Sequence, residues 1–220
     1  MGVSLVLACL SAGISLYGAG RYFYGILKGD TRPRTASWIA WLTANAVFTA
    51  IAFLDHAYLA AVINGLAAAA NAAVLGVSAS KRQGIRPQGM IDWSCLIAAT
   101  VCLAIPLLFP ENKLLGALLA MVANATATWP TVLHAWFRPR EETWQLFAAN
   151  AVAGGLSFVG IALETGMSLA TLAGPLMTIM GSGSLVFITV GRGVISRAKE
   201  EIMEVEELLE PSPTQVNETE

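Results

Sequence analysis

Residues 32–47, RPRTASWIAWLTANAV, occur a second time in altered form further along the chain. Residues 138–152 read RPREETWQLFAANAV, with the same Arg-Pro-Arg, a Trp six residues after the first Arg, and the same Asn-Ala-Val near the end. Each copy lies where a charged turn enters an apolar run, so the repeated unit is a helix with its preceding loop. We therefore predict an architecture built on an internal duplication.

The composition indicates an integral membrane protein. The 220 residues are 55% hydrophobic and only 13% charged, whereas a soluble domain carries roughly 25% charged residues. The predicted partner is the lipid bilayer, and no nucleic-acid partner is expected. The three cysteines lie in apolar runs without the paired spacing of a zinc site or a secreted disulfide framework, so no metal site is predicted.

Seven apolar stretches approach the ~20 residues that a helix needs to cross the hydrocarbon core. They cover residues 3–27, 36–54, 58–79, 91–109, 114–136, 143–163 and 168–190. The predicted fold class is therefore all-α, a polytopic membrane protein with seven transmembrane helices. Beyond residue 190 the chain turns polar, and apolar residues at helical spacing predict a separate short acidic surface helix at 200–210, followed by a disordered tail.

The positive charges support this number of helices and suggest an orientation. Seven helices place alternate loops on opposite faces of the membrane. One face then receives nearly all the basic residues outside the apolar stretches, and the other face receives only Lys113. The crowded face holds Lys28, Arg32, Arg34, Lys81, Arg82, Arg86, Arg138, Arg140, Arg192, Arg197 and Lys199. By the positive-inside rule, we expect the N-terminus outside and the C-terminus in the cytoplasm of a cell (plasma) membrane protein.

The duplication extends over three helices. Residues 59–82 align without gaps with residues 169–192, although few positions between their shared ends are identical. A single helix lies between the two sets of three, and because three is odd, this extra crossing makes the repeats parallel. The predicted units are a first three-helix bundle at 1–82, a linker with an inversion helix at 83–111, a second bundle at 112–199, and an acidic tail at 200–220.

The arrangement of three, one and three helices resembles the SWEET and PQ-loop superfamily, as does the Pro-bearing basic loop before the second helix of each half. The third helix, with INGLAAAANAAVLGVSASKR, is similar in outline to the Asn-Gly-bearing third helix of that family. The resemblance covers residues 1–199 and implies transport of a small solute. It also implies an Asn of the third helix at the sugar site, a role that Asn64 fits, whereas the seventh helix has no matching Asn.

Polar residues inside the predicted spans mark where a cavity, a solute or a partner helix should lie, because hydrocarbon cannot pair with an amide. Asn64 and Asn71, two turns apart, share one face of the third helix, and Trp41 and Asn45 share one face of the second. The candidate solute-binding residues are Asn64, Asn71, Asn45, Trp41, Asn124, Asn150, Thr178 and Ser182. The alternative is structural, with these side chains bonding across helices.

These features together predict a transporter. Facilitated, uncoupled passage of a small neutral solute such as a sugar is expected, because no Asp or Glu lies in the middle of a span. Pro130 and Pro175 are the candidate hinges, since each removes a backbone hydrogen bond. No enzymatic activity and no cofactor are predicted, and association into homo-oligomers stays open. The alternative function is a membrane receptor or scaffold whose acidic tail binds a partner.

Overall fold

A computed structural model describes residues 2–109, 111–165 and 167–209, and within them the chain forms seven α-helices and one short 3-10 turn. The helices are α1 (Gly2–Lys28), α2 (Thr35–Leu54), α3 (Tyr58–Ser80), α4 (Gly89–Leu108), α5 (Lys113–Phe137), α6 (Trp144–Thr165) and α7 (Leu169–Leu209). The 3-10 turn, Pro139–Glu141, precedes α6. The predicted disordered tail falls largely on residues 210–220, which lie outside the described residues.

Six of these helices are long and apolar enough to cross a membrane, which confirms an all-α, multi-pass membrane protein. The seventh predicted crossing, at 91–109, coincides with α4, which has 20 residues like α2 but is not among these six. At 1.5 Å per residue α4 is about 30 Å long, which matches a hydrocarbon core of about 30 Å. A crossing by α4 stays a prediction.

The end of the last helix differs from the prediction. Instead of a span ending at 190 and a separate acidic helix, α7 is one continuous helix of 41 residues, Leu169–Leu209. Gly191 and Gly193 each weaken a helix by about 1 kcal/mol, which is not enough to break it when the residues that follow are good helix formers. The sequence SRAKEE at 196–201 is rich in such residues.

Six helices form a ring. α3 contacts both α2 and α1, α7 contacts both α5 and α6, and the ring is closed by the contacts of α2 with α5 and of α1 with α6. α4 packs outside the ring, against α5 and α2. This order places one face of each ring helix toward a common centre, which is where the polar stripes of the sequence can meet.

The loops that carry most of the arginines lie together at one end of the bundle, here called the basic end. The backbone N–H of Arg32 donates to the carbonyl of Glu141 at 3.1 Å, so the two Arg-Pro-Arg loops lie side by side. Arg34 forms a two-point ion pair with Asp92 at the start of α4, with both contacts at 3.0 Å. At the opposite end Lys113 pairs with Asp55.

Small residues bring α1 and α6 into close contact. An added Cβ at Gly18 would lie 2.6 Å from the Cβ of Ala149, closer than two carbons can approach. Further along the same interface the hydroxyl groups of Ser11 and Ser157 lie 2.7 Å apart, and Ser11 donates to the carbonyl of Ala153 at 2.9 Å. The interface is thus held by backbone proximity and by buried hydrogen bonds, as is common between membrane helices.

We expect Gly18→Ala to lower the melting temperature, because the new methyl group meets Ala149 and neither backbone can move without separating α1 from α6. Gly13→Ala on the same helix is the matched control, since nothing lies within 4 Å of its Cβ position. That control should be neutral or stabilising, because Ala favours a helix over Gly by about 1 kcal/mol. Thermal unfolding in detergent measures both, and equal shifts would contradict this packing.

Candidate functional site

A cavity of about 110 Å³, here called the central cavity, lies inside the ring. It brings together seven of the eight side chains proposed from the sequence for solute binding, drawn from α2, α3, α5, α6 and α7. These are Trp41, Asn45, Asn71, Asn124, Asn150, Thr178 and Ser182. Trp38 and Thr128 complete its polar lining, and Ala67, Ala70 and Gly181 supply small surfaces that leave room for it.

Helical spacing explains why these side chains converge. Residues three, four or seven apart lie on one face of a helix, and the α2 contribution comes from Trp38, Trp41 and Asn45, at that spacing. The same holds for Asn124 and Thr128 on α5, four residues apart. A stripe of this kind faces the centre because the opposite face of each helix is apolar and meets lipid.

Some of the lining side chains are held in place by hydrogen bonds. The indole Nε1 of Trp41 donates to the Thr128 hydroxyl at 3.2 Å, which links α2 to α5. Thr128 donates in turn to the carbonyl of Asn124 at 2.9 Å. The amide of Asn45 donates to the carbonyl of Trp41 at 2.9 Å, and Thr178 donates to the carbonyl of Gly174 at 3.0 Å.

Three amide side chains that line the cavity, those of Asn71, Asn124 and Asn150, have no hydrogen-bond partner among the described residues. Each amide offers two donors and an acceptor oxygen, and leaving such a group unpaired in a dry site costs about 1–3 kcal/mol. The cavity is therefore suited to water or to a polar solute that exchanges hydrogen bonds with these amides.

The central cavity carries no formal charge. None of its lining residues in the described part of the chain is Asp, Glu, Lys, Arg or His. An ion would have to leave water without a countercharge there, at a large cost in free energy. The lining therefore favours an uncharged solute with several hydroxyl or amide groups, while the rings of Trp38 and Trp41 offer flat apolar surfaces.

Asn64, the eighth proposed residue, does not line the central cavity. It is buried in a second cavity of about 90 Å³ nearer the opposite end, beside Pro175 and Ser157. Its amide packs on α7 at Gly174, where a Cβ would lie 2.6 Å from the Asn64 Oδ1. Asn45 and Thr178 border both cavities, so the two are adjacent along the bundle.

An aromatic cluster separates the central cavity from the basic end. The rings of Tyr22 and Trp38 have centroids 5.0 Å apart, those of Trp38 and Trp41 5.3 Å, and those of Tyr22 and Phe147 6.4 Å. Tyr22 is fully buried behind the cavity wall. Toward the opposite end, small and aliphatic residues of α2, α3, α6 and α7 pack together, among them Ala60, Ile161 and Leu172.

Glu142, which the sequence reading did not single out, lies buried beneath this cluster. The Tyr22 hydroxyl donates to its Oε2 at 3.4 Å, and Oε1 has no hydrogen-bond partner among the described residues. Burial raises the pKa of the Glu142 carboxyl to about 8, with a smaller opposing effect from the hydrogen bond of Tyr22 and the charge of Arg34. The sequence does mark this position, because the second copy of the motif has the acidic Glu142 where the first has the small, apolar Ala36.

This raised pKa makes a prediction about stability. The folded state binds the Glu142 proton more tightly than the unfolded chain does. The stabilisation that results is complete below about pH 4.5 and is lost as the pH rises to about 8. The free energy of unfolding should fall by at most about 1.4 kcal/mol per pH unit in this window. Glu142→Gln should remove that dependence and exceed the wild type in melting temperature at pH 8–9. Parallel pH profiles of the two proteins would contradict a buried neutral carboxyl.

The two candidate hinge prolines lie inside continuous helices. Pro130 is fully buried in α5, two residues beyond Thr128, and Pro175 is buried in α7 next to Gly174. Each leaves a carbonyl of the preceding turn without its helical N–H partner. Both positions adjoin cavity-lining residues, and their role as hinges stays a prediction.

No family model, no curated protein and no solved structure matches this chain.

Proposed function

We propose that this protein is a transporter that passes a small neutral polar solute, such as a sugar, across the bilayer by facilitated alternating access. The observation that carries the proposal is the uncharged cavity at the centre of the ring, with the unpaired amides of Asn71, Asn124 and Asn150 around it. A purely structural role for these residues would pair their amides across helices, and the described contacts contain no such pair.

The size of the cavity bears on the mechanism. Sites for drug-sized ligands measure about 300–1,000 Å³, whereas the central cavity measures about 110 Å³. It accommodates only a few heavy atoms as it stands, so a sugar requires the surrounding helices to move apart. In the proposed mechanism the contacts of α1 with α6 and of α2 with α5 open in turn at one end and then at the other, with Pro130 and Pro175 as hinges.

The proposed architecture is a pair of parallel three-helix repeats, as in the SWEET and PQ-loop superfamily. The position of the two Arg-Pro-Arg loops at the same end supports this proposal. So does the pattern of contacts, in which α3 lies between α1 and α2 while α7 lies between α5 and α6. α4 would be the inversion helix, placed outside the ring.

The proposed orientation has the basic end in the cytoplasm and the N-terminus outside, in a cell membrane. The clustering of arginine-bearing loops at one end, against Lys113 at the other, supports it through the positive-inside rule. Uncoupled transport is proposed because the cavity lining is uncharged. Glu142, although it can take up a proton, lies behind Tyr22 and outside that lining.

The transport proposal is tested by solute uptake into proteoliposomes from a panel of labelled neutral solutes. We expect Asn71→Leu and Asn150→Leu each to reduce uptake at least tenfold, because Leu fills a similar volume and removes the donors and acceptors that face the cavity. The control is Ser184→Ala on the exposed face of α7, where the hydroxyl already donates to the carbonyl of Gly181.

The control variant should transport at the wild-type rate. If the wild type takes up no member of the panel while the Asn variants only change the melting temperature, then these amides serve the fold and the transport proposal is wrong. The variant Asn64→Leu distinguishes the roles of the two cavities, because Asn64 lines only the second one. If it impairs uptake as strongly as Asn71→Leu, the solute path includes the second cavity.

The receptor or scaffold function rests on the last part of α7, which continues as a helix to Leu209 and exposes Ile202 and Met203. Deleting residues 200–220 distinguishes the two functions. Uptake should persist in the shortened chain if the protein is a transporter, whereas a scaffold should lose its partner. Loss of uptake at unchanged folding would contradict the assignment of transport to the ring alone.

A further inference from the structure

A groove of about 800 Å³ lies at the basic end, separate from the central cavity. It is bounded by the loop after α1, the loop between α3 and α4, and the last turn of α5. We call it the arginine groove, because five arginines line it: Arg32, Arg34, Arg82, Arg86 and Arg138. None of the residues assigned to the central cavity contributes to it.

The charge of the arginine groove is not balanced by the described residues. Arg34 is neutralised by Asp92, and Arg138 lies 3.3 Å from a carboxylate oxygen of Glu141. Arg32, Arg82 and Arg86 have no carboxylate partner in the described part of the chain. Three like charges around one groove repel one another, so an anion of more than one charge would be bound there more strongly than a singly charged one.

The groove is built on fixed backbone. The N–H of Ile85 donates to the carbonyl of Pro33 at 2.8 Å, and the N–H of Thr35 donates to the carbonyl of Ile85 at 3.0 Å, so the two loops pair like short strands. Gly84 sits against this pairing, where a Cβ would lie 3.0 Å from the Thr35 hydroxyl. The segments that carry the unpaired arginines are therefore held in place before any ligand arrives, which lowers the entropy cost of binding.

The surroundings of the groove indicate a lipid rather than a soluble anion. Phe137 lines the groove and is 75% exposed, and Met90, two residues beyond the lining residue Gln88, is 83% exposed. Trp93 and Trp136 are also exposed on the adjoining helix turns, α4 and α5. Exposed aromatic and apolar residues next to basic ones are typical of the depth at which lipid headgroups lie.

We propose that the arginine groove binds the headgroup of an anionic phospholipid that carries two phosphate groups. Arginine is suited to this ligand because its planar guanidinium donates two parallel hydrogen bonds to phosphate oxygens. The bound headgroup would touch the α3–α4 loop and the end of α5 at once. It would thereby tie the α4 linker to the second half of the bundle at the surface of the membrane.

The test is native mass spectrometry of the purified full-length chain in neutral detergent, titrated with cardiolipin, with phosphatidylglycerol at twice the molar amount, or with pyrophosphate. The two lipid titrations contain equal charge and differ in whether two phosphates belong to one headgroup. We expect cardiolipin to bind at least tenfold more tightly than phosphatidylglycerol. The double variant Arg82→Gln/Arg86→Gln should weaken that binding at least tenfold, because it removes two guanidinium groups that donate charge-assisted hydrogen bonds to the phosphates in the groove.

The matched control is Lys81→Gln/Lys199→Gln, which removes the same charge from the basic end outside the groove and should change binding less than about threefold. Equal weakening by both pairs, no weakening by either, or equal binding of the two lipids would overturn the proposal. Tighter binding of pyrophosphate than of cardiolipin would overturn the lipid as ligand. Should the first variant fail to fold, Arg32→Gln/Arg86→Gln makes the same test.

Discussion

A polar side chain in a bilayer must face protein or water, because hydrocarbon offers it no hydrogen bond. The arrangement of this protein follows from that constraint. Asn, Thr, Ser and Trp residues on five helices point to one centre, and the helices close into a ring around them. Some of these side chains bond to their own helix, as Thr178 does to Gly174. The amides without such a bond make the centre a polar and uncharged space.

Much of the fold follows from local patterns in the sequence. Apolar length placed the ends of α2, α3 and α5 within one residue of those observed, because charged or polar turns bound each run. The extent of α7 could not be obtained in the same way. A change from apolar to charged composition marks where a helix leaves a membrane, but helix continuity depends on backbone propensity, which SRAKEE keeps high.

The candidate site, like the fold, follows in part from local patterns in the sequence and in part from helix packing that these patterns do not determine. Spacing on single helices predicted polar faces that carry Asn45 and Asn71, and both side chains line the central cavity. Spacing could not separate Asn64 from Asn71, which share a helical face, because the cavity that each side chain borders depends on contacts between helices, such as that of Asn64 with Gly174 of α7. Glu142 escaped attention because it precedes a span, and its burial beneath Tyr22 comes from the packing of α1 on α6.

The external position of α4 has a mechanical consequence. The two main interfaces between the first three and the last three helices are α1 with α6 and α2 with α5, and α4 packs on both partners of only the second. Parting α2 from α5 would therefore break the contact of α4 with one of them. Among the described helices, the interface of α1 with α6 has no such contact with α4 and is held instead by the close approach of Gly18 to Ala149 and by the hydrogen bonds of Ser11, so the two interfaces resist separation by different means.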